Sequence, residues 1–143
     1  MPKRSGEGGA YLVDANVVLE VLYKRERWEE SYELLNRVKE GSVRVFMLHF
    51  DVHGISAILG RPDLVSRFLS EILTWRGLTV VDLPVREEAA ACELASKAGL
   101  DFDDGLHYYF ARSRGLPIVS FDRDFDGLDV RRVEPREILA ESA

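Results

Sequence analysis

Strand-length apolar runs alternate with helical patterns along the whole of this chain, and several of the runs stop at an acidic residue. Ala10–Val13 ends at Asp14, Val43–Leu48 leads into a helical stretch, Leu78–Leu83 is stopped by Pro84, and Ile118-Val119 runs into Ser120-Phe121-Asp122. Between them the apolar positions change to helical spacing. Val17, Val18, Leu19, Val21 and Leu22 crowd one helix that Asp14 is placed to cap. Trp28, Tyr32, Leu35 and Val38 form a stripe on the next, closed by Gly41. Val52, Ile55, Ile58 and Leu59 predict a third helix facing inward over Phe50–Leu59, and Leu64, Phe68, Leu69, Ile72 and Trp75 a fourth. An Ala-rich helix over Val85–Ala98, a helix beginning near Asp101, a short last strand within Leu128–Val133 and a terminal helix over Glu134–Ala140 complete the pattern. Such alternation predicts an α/β fold of three layers, α/β/α, with a mostly parallel central sheet. Strand order is not determined by it.

Right-handed crossovers bring the carboxyl ends of parallel strands to one edge, where open α/β sheets bind ligands. Asp14 and Asp122 each follow an apolar strand directly, so both belong there. Asp104 begins the helix before the last main strand and is placed to reach the same edge. Carboxylates from separate parts of a chain repel one another unless a positive group sits among them. An oxygen-only set suits a hard divalent cation, Mg²⁺ or Mn²⁺, which binds phosphates and activates water.

Other chemistries find less support. Neither G-x-x-x-x-G-K-[ST] nor G-x-G-x-x-G occurs, so those routes to nucleotide binding are absent. There is no G-x-S-x-G, and Cys92 lacks a convincing histidine partner. Its neighbours Ala89, Ala90, Ala91 and Ala95 suggest a buried structural thiol, and a lone cysteine fits a reducing cytoplasm. His49 and His53 stand four apart, but His107 does not complete a zinc pattern with them. The net charge of −6 argues against a broad basic nucleic-acid surface, though not against contact through bound cations. No membrane span is present. Residues 1–9 read as a flexible polar tail, with Lys3 and Arg4 in it, and residues 10–143 as a single domain.

Three segments together resemble the acidic signatures of PIN-domain ribonucleases, and most closely the VapC-like group of prokaryotes. They are Val13-Asp14-Ala15-Asn16-Val17, Asp103-Asp104-Gly105-Leu106-His107-Tyr108-Tyr109, and Val119-Ser120-Phe121-Asp122-Arg123-Asp124-Phe125. The resemblance implies a PIN-like domain that hydrolyses RNA with Mg²⁺ or Mn²⁺, with Asp14, Asp104 and Asp122 as catalytic metal ligands. Asp124, Asp103 and Asp51 are further candidate ligands, and Asn16 and Ser120 supporting residues. It also implies a homodimer, an antitoxin partner and a cytoplasmic location. The family's helical Glu has no direct counterpart: the register of Ile55, Ile58 and Leu59 puts Gly54 there, with Asp51 or His53 to substitute.

Each residue has a plainer reading. Asp14 and Asp104 serve as helix caps, Asp101 and Asp103 as cap residues, and Asp126 as part of a turn. Tyr108, Tyr109 and Phe110 suggest a base-stacking platform but are more often core in mid-helix. Arg112, Arg114 and Arg123 flank the expected acidic edge and are placed either for phosphate contact or for solvent. Trp28 and Trp75 read as core or oligomer contacts. Two alternative functions remain: a PIN-like module that binds RNA or protein without cutting, and a haloacid-dehalogenase-like phosphatase. Asp14-Ala15-Asn16-Val17-Val18 superficially resembles the phosphatase D-x-D-x-[TV] motif, but its second Asp is Asn16.

Overall fold

The computed structural model describes residues 9–141, so nearly all of the expected tail, Lys3 and Arg4 included, lies outside the described residues. Five strands, β1 (Tyr11–Val13), β2 (Val45–Leu48), β3 (Leu78–Val81), β4 (Ile118–Val119) and β5 (Arg132–Val133), form one sheet. Its order is β3-β2-β1-β4-β5 and every pairing is parallel. The helices are α1 (Ala15–Leu22), α2 (Trp28–Glu40), α3 (His49–Leu59), α4 (Pro62–Ile72), α5 (Val85–Ala98), α6 (Phe102–Arg114) and α7 (Pro135–Glu141). A single 3₁₀ turn spans Arg123–Phe125.

The period-two alternation of side chains divides the core between the faces of the sheet. Tyr11, Val13, Met47, Val119 and Val133 pack with α1–α4 and α7. Leu12, Leu48 and Ile118 pack with α5 and α6 on the other side. The three-layer α/β/α fold with a parallel sheet is therefore present. From β1 the chain steps outward to β2 and β3, then returns to the opposite side of β1 for β4 and β5. The direction of winding switches between β1 and β4. In open sheets that switch is where a crevice opens at the carboxyl edge.

Several amphipathic assignments differ in detail. Leu34 and Ser31 are buried on α2, while Tyr32 is half exposed, because the buried stripe lies one residue round from the one anchored on Trp28. Ile58 is 54% exposed, so α3 is rotated away from the face set by Ile55, Ile58 and Leu59. Leu69 is likewise exposed on α4. Leu128 and Val130 pack against the core from a loop before the short β5. Cys92 is exposed, contrary to a buried thiol. The Ala-rich helix buries Ala91 and Ala95, with Leu94 and Ala98 partly covered, and Cys92 lies just off that stripe and faces solvent.

Ala91 and Ala95 are buried because α6 approaches them closely at Gly105. A Cβ on Gly105 would lie 2.5 Å from the Ala95 Cβ and 3.4 Å from the Ala91 carbonyl oxygen. Gly105→Ala is expected to lower stability by about 1–3 kcal/mol, since overpacking exceeds the gain in helix propensity. A reduced urea midpoint at unchanged slope would show it. An unchanged midpoint would mean that the α5–α6 contact relaxes freely.

Candidate active site

Asp14 follows β1 and Ser120 follows β4 at the winding switch. The pairing of Val13 with Val119 sets the two residues side by side. Ser120 is fully buried and joins three groups. Its hydroxyl donates to Asp14 Oδ2 (2.7 Å) and accepts from the Asp122 backbone N–H (2.9 Å) and from Asn16 Nδ2 (3.1 Å). Asn16 Nδ2 also lies 3.3 Å from Asp14 Oδ2. Asp14 is not a side-chain cap: it precedes α1, but its carboxylate makes no capping hydrogen bond. The side-chain capping role is therefore absent, and Asn16 and Ser120 are the hydrogen-bond partners of Asp14 Oδ2.

Asp104, Asp122 and Asp124 gather at the same edge, with one carboxylate oxygen of each within 4.8 Å of the others. Capping of α6 falls to Asp101, which accepts from the Asp104 N–H at 2.9 Å. That leaves the Asp104 carboxylate free of the duty. Burial and the charges of Asp122, Asp101, Asp103 and Asp14 raise the Asp104 carboxyl to about 7. Asp122 accepts from the Asp124 N–H through Oδ1 (2.9 Å) and so also shapes the 3₁₀ turn. Asp126 is paired with Arg132 at 2.8 Å, which makes it a turn residue.

Asp51, in the first turn of α3, is 3% exposed and faces inward. Gly54 points to open space, with nothing within 4 Å of an added Cβ. His53 is exposed and stacks on His49. The position assigned to Gly54 is therefore corrected: Asp51 is the α3 residue that enters the acidic neighbourhood. Its partner is His107, which sequence reasoning dismissed. His107 is fully buried, with Nε2 2.6 Å from Asp51 Oδ2 and Nδ1 2.8 Å from the Asp103 backbone carbonyl. A carbonyl only accepts, so Nδ1 carries a proton. Burial opposes a charge on the ring, but Asp51, the hydrogen bond to Asp103 and the charge of Asp14 hold it well above the ordinary histidine range. The ring is thus an imidazolium, with Nε2 3.9 Å from Asp14 Oδ1. Asp51 is itself raised to about 6, because burial outweighs the pull of His107. Asp103 pairs with His107 Nδ1 at 3.2 Å and is thereby lowered, so it is not the cap expected of it. The signal for His107 was its place on α6, one turn beyond Asp103 and Asp104.

Two groups are therefore distinguishable by chemistry. In Asp14, Asp51 and His107 the carboxylates already face an internal cation, and both ring nitrogens are engaged. In Asp104, Asp122 and Asp124 all donors are oxygens and no described cation neutralises them; the elevated Asp104 carboxyl records that excess charge. A hard divalent cation fits this second set, and Asp14 is near enough for its charge to act on Asp104.

The aromatic residues take the core alternative, and two of the basic ones lie away from the acidic edge. Tyr108 and Phe110 are core, and Tyr109 is half-buried with its hydroxyl turned to Glu87. Arg112 pairs with Asp129, and Arg114 lies over Phe46 and Phe110 at the far end of α6. Neither flanks the acidic edge. Arg132 does support it: its guanidinium donates to the Ser120 carbonyl (3.0 Å) and bridges Asp126 and Glu134. Glu134 in turn pairs with Arg27, whose guanidinium lies over Phe121.

A PIN domain family model matches residues 11–130. The chain belongs to the PIN domain family. PIN domains are generally nucleases, and membership sets aside the haloacid-dehalogenase-like alternative. No curated protein matches the sequence. Solved structures share the fold, among them the following three. A toxin–antitoxin complex from Klebsiella pneumoniae aligns with a TM-score of 0.67 at 15% identity, over 87% of this chain and 97% of that one. VapBC2 from Rickettsia felis, bound to a DNA fragment from its promoter, gives 0.62 at 11%, over 87% and 98%. A Pyrobaculum aerophilum protein gives 0.62 at 22%, over 93% and 94%. No helix among the described residues is long and apolar enough to cross a membrane.

Proposed function

We propose that this PIN domain is a Mg²⁺- or Mn²⁺-dependent endoribonuclease and the VapC-like toxin of a toxin–antitoxin pair. The observation that carries the reading is the all-oxygen cluster of Asp104, Asp122 and Asp124 beside Asp14 at the winding switch. Bound there, a divalent ion would supply an activated water and charge stabilisation for the departing oxygen of a phosphodiester. The chain's own residues prepare that chemistry. Ser120 and Asn16 hold Asp14 by Oδ2, while Oδ1 lies 3.9 Å from His107 Nε2. Ser120 also fixes the backbone of Asp122, so two of the ligands share one anchor. Asp104 gives up its proton when a cation is held, which couples binding to pH. Asp51 and Asp103 serve His107 rather than the ion.

An antitoxin partner is supported by an apolar groove of about 420 Å³ between α1, α2 and α4. Val18, Leu22, Leu35, Phe68 and Trp75 line it, with Lys39, Arg67 and Glu71 also on its wall, a surface suited to one face of an amphipathic helix. A homodimer is supported by the strongly exposed Leu73 and Val85, and a cytoplasmic location by the lone, unpaired Cys92.

The deciding experiment is cleavage of single-stranded RNA by the purified protein in Mn²⁺, beside Asp122→Asn. Cation-dependent cleavage that falls at least about 100-fold in the variant is expected, by analogy with the loss of a transition-state contact. Equal activity in the two proteins would leave the binding-module alternative standing and the nuclease reading would fail.

A further inference from the structure

The aromatic run Tyr108–Phe110 on α6 serves the core, but an exposed aromatic pair exists at the same edge. Phe50 is the second residue of α3 and Phe102 the first of α6, so both stand in first turns at the carboxyl edge of the sheet. Their rings meet edge to face, 5.9 Å between centroids. They remain 38% and 44% exposed, although each is next or nearly next in sequence to a buried acid of the site, Asp51 and Asp104. Edge-to-face packing leaves one ring face open, which a buried core pair does not. Beside Phe50 lies a cleft of about 110 Å³. Its floor is Leu48, Leu83 and Leu106, and His49 and His53 line it with their rings stacked at 4.3 Å. Asp82 and Glu88 also line it, and neither carboxylate has a hydrogen-bond partner among the described residues.

We propose that this cleft and the Phe50–Phe102 pair form a nucleobase subsite for single-stranded RNA, adjoining the acidic site. The inference rests on the nuclease reading and adds how the substrate is chosen. Flat apolar and aromatic walls suit the face of a base, and stacking on them tolerates any sequence. The carboxylates supply selectivity: they accept hydrogen bonds from amino groups, as acidic side chains do from cytosine N4. Uracil has no amino group, and the carbonyls on either side of its N3–H oppose the approach of a carboxylate. Adenine, cytosine and guanine are therefore preferred to uracil. A base inside a duplex is stacked and paired and does not enter. The negative charge of the cleft disfavours phosphate there, which keeps the backbone toward the cation-binding edge.

The test compares steady-state cleavage, in Mn²⁺, of single-stranded hexanucleotides that differ at one position: adenine, cytosine, guanine, uracil or an abasic site. In the wild type, kcat/KM for the abasic strand is expected to fall about 5- to 100-fold below the best base. Phe50→Ala and Phe102→Ala, both at exposed positions, abolish that difference, and Phe102→Tyr restores it. Glu88→Gln reduces the discrimination against uracil. Mn²⁺ affinity, read by calorimetry without RNA, stays unchanged in all four variants, which separates base recognition from damage to the acidic site. If the wild type cleaves RNA but the Phe variants treat every strand as it does, the rings serve a protein contact and the proposal is overturned. Equal cleavage of duplex and single strands overturns it too. Absence of RNA cleavage by the wild type, with Mn²⁺ bound, would instead defeat the nuclease reading on which it rests.

Discussion

Asp104→Asn is expected to reduce RNA cleavage by at least about 100-fold and yet to stabilise the metal-free protein by about 1–2 kcal/mol. The two effects have one cause. The Asp104 carboxyl is raised to about 7 from an ordinary 3.8 by burial and by Asp122, Asp101, Asp103 and Asp14. Below pH 3.8 the group is protonated both folded and unfolded, and contributes nothing. Between 3.8 and about 7 the unfolded chain loses the proton first, so stability falls as pH rises through that window and the full penalty is present above it. The quoted gain is well below the full pKa difference, because charge at a solvent-facing edge is screened. An Asn does not ionise and escapes the penalty. Melting temperatures of the metal-stripped proteins between pH 5 and 7.5 should show a downward slope for the wild type that is shallower in Asp104→Asn. Added Mn²⁺ should then raise the wild-type melting temperature and leave the variant almost unmoved. Parallel slopes would mean that Asp104 is not the group under electrostatic load.

How much of this was legible in the sequence depended on whether a residue's role was local. The order of strands and helices could be read because each apolar run, such as Ala10–Val13 or Ile118-Val119, carries its own period and its own stop. The placement of Asp14, Asp104 and Asp122 at the carboxyl edge could be read because a strand end or a helix start says where the next side chain goes. The pairing of Asp51 with His107 could not, since they lie 56 residues apart and become partners only when α3 and α6 meet, and Asp51 stood only as one candidate among several. The register that favoured Gly54 was anchored on Ile58, which is solvent-facing. A single exposed apolar residue rotated the whole helix by one step. Cys92 failed for the same reason: an Ala-rich helix has small residues on every side, so composition does not say which side is inward. Arg132 was invisible because its partners, the Ser120 carbonyl, Asp126 and Glu134, belong to a loop and a strand end. Phe50 and Phe102 looked like ordinary apolar helix starts until their exposure was known.

His107→Ala is expected to cost about 3–5 kcal/mol, the usual penalty for leaving one member of a buried ion pair behind. Asp51 would keep a carboxylate at 3% exposure with its 2.6 Å partner removed. Replacing both members, as in Asp51→Leu with His107→Phe, should recover much of the loss, because the desolvation cost of both charges disappears together. The double-mutant cycle therefore carries a coupling of about 2 kcal/mol or more, measured as urea midpoints converted at a common slope. The pH dependence distinguishes this from a simple cavity. A histidine held well above 6.5 contributes stability that is complete below that value and is lost as pH rises through its folded-state value. On the alkaline side of neutrality, then, the wild type should lose its advantage over His107→Ala, whereas a cavity alone would keep the difference constant. The pair also matters to the site. Nε2 lies 3.9 Å from Asp14 Oδ1, so the ring stands between Asp14 and Asp51. Without it, Asp14 loses a neighbour that helps fix its place beside Ser120 and Asn16, and Mn²⁺ binding is expected to weaken.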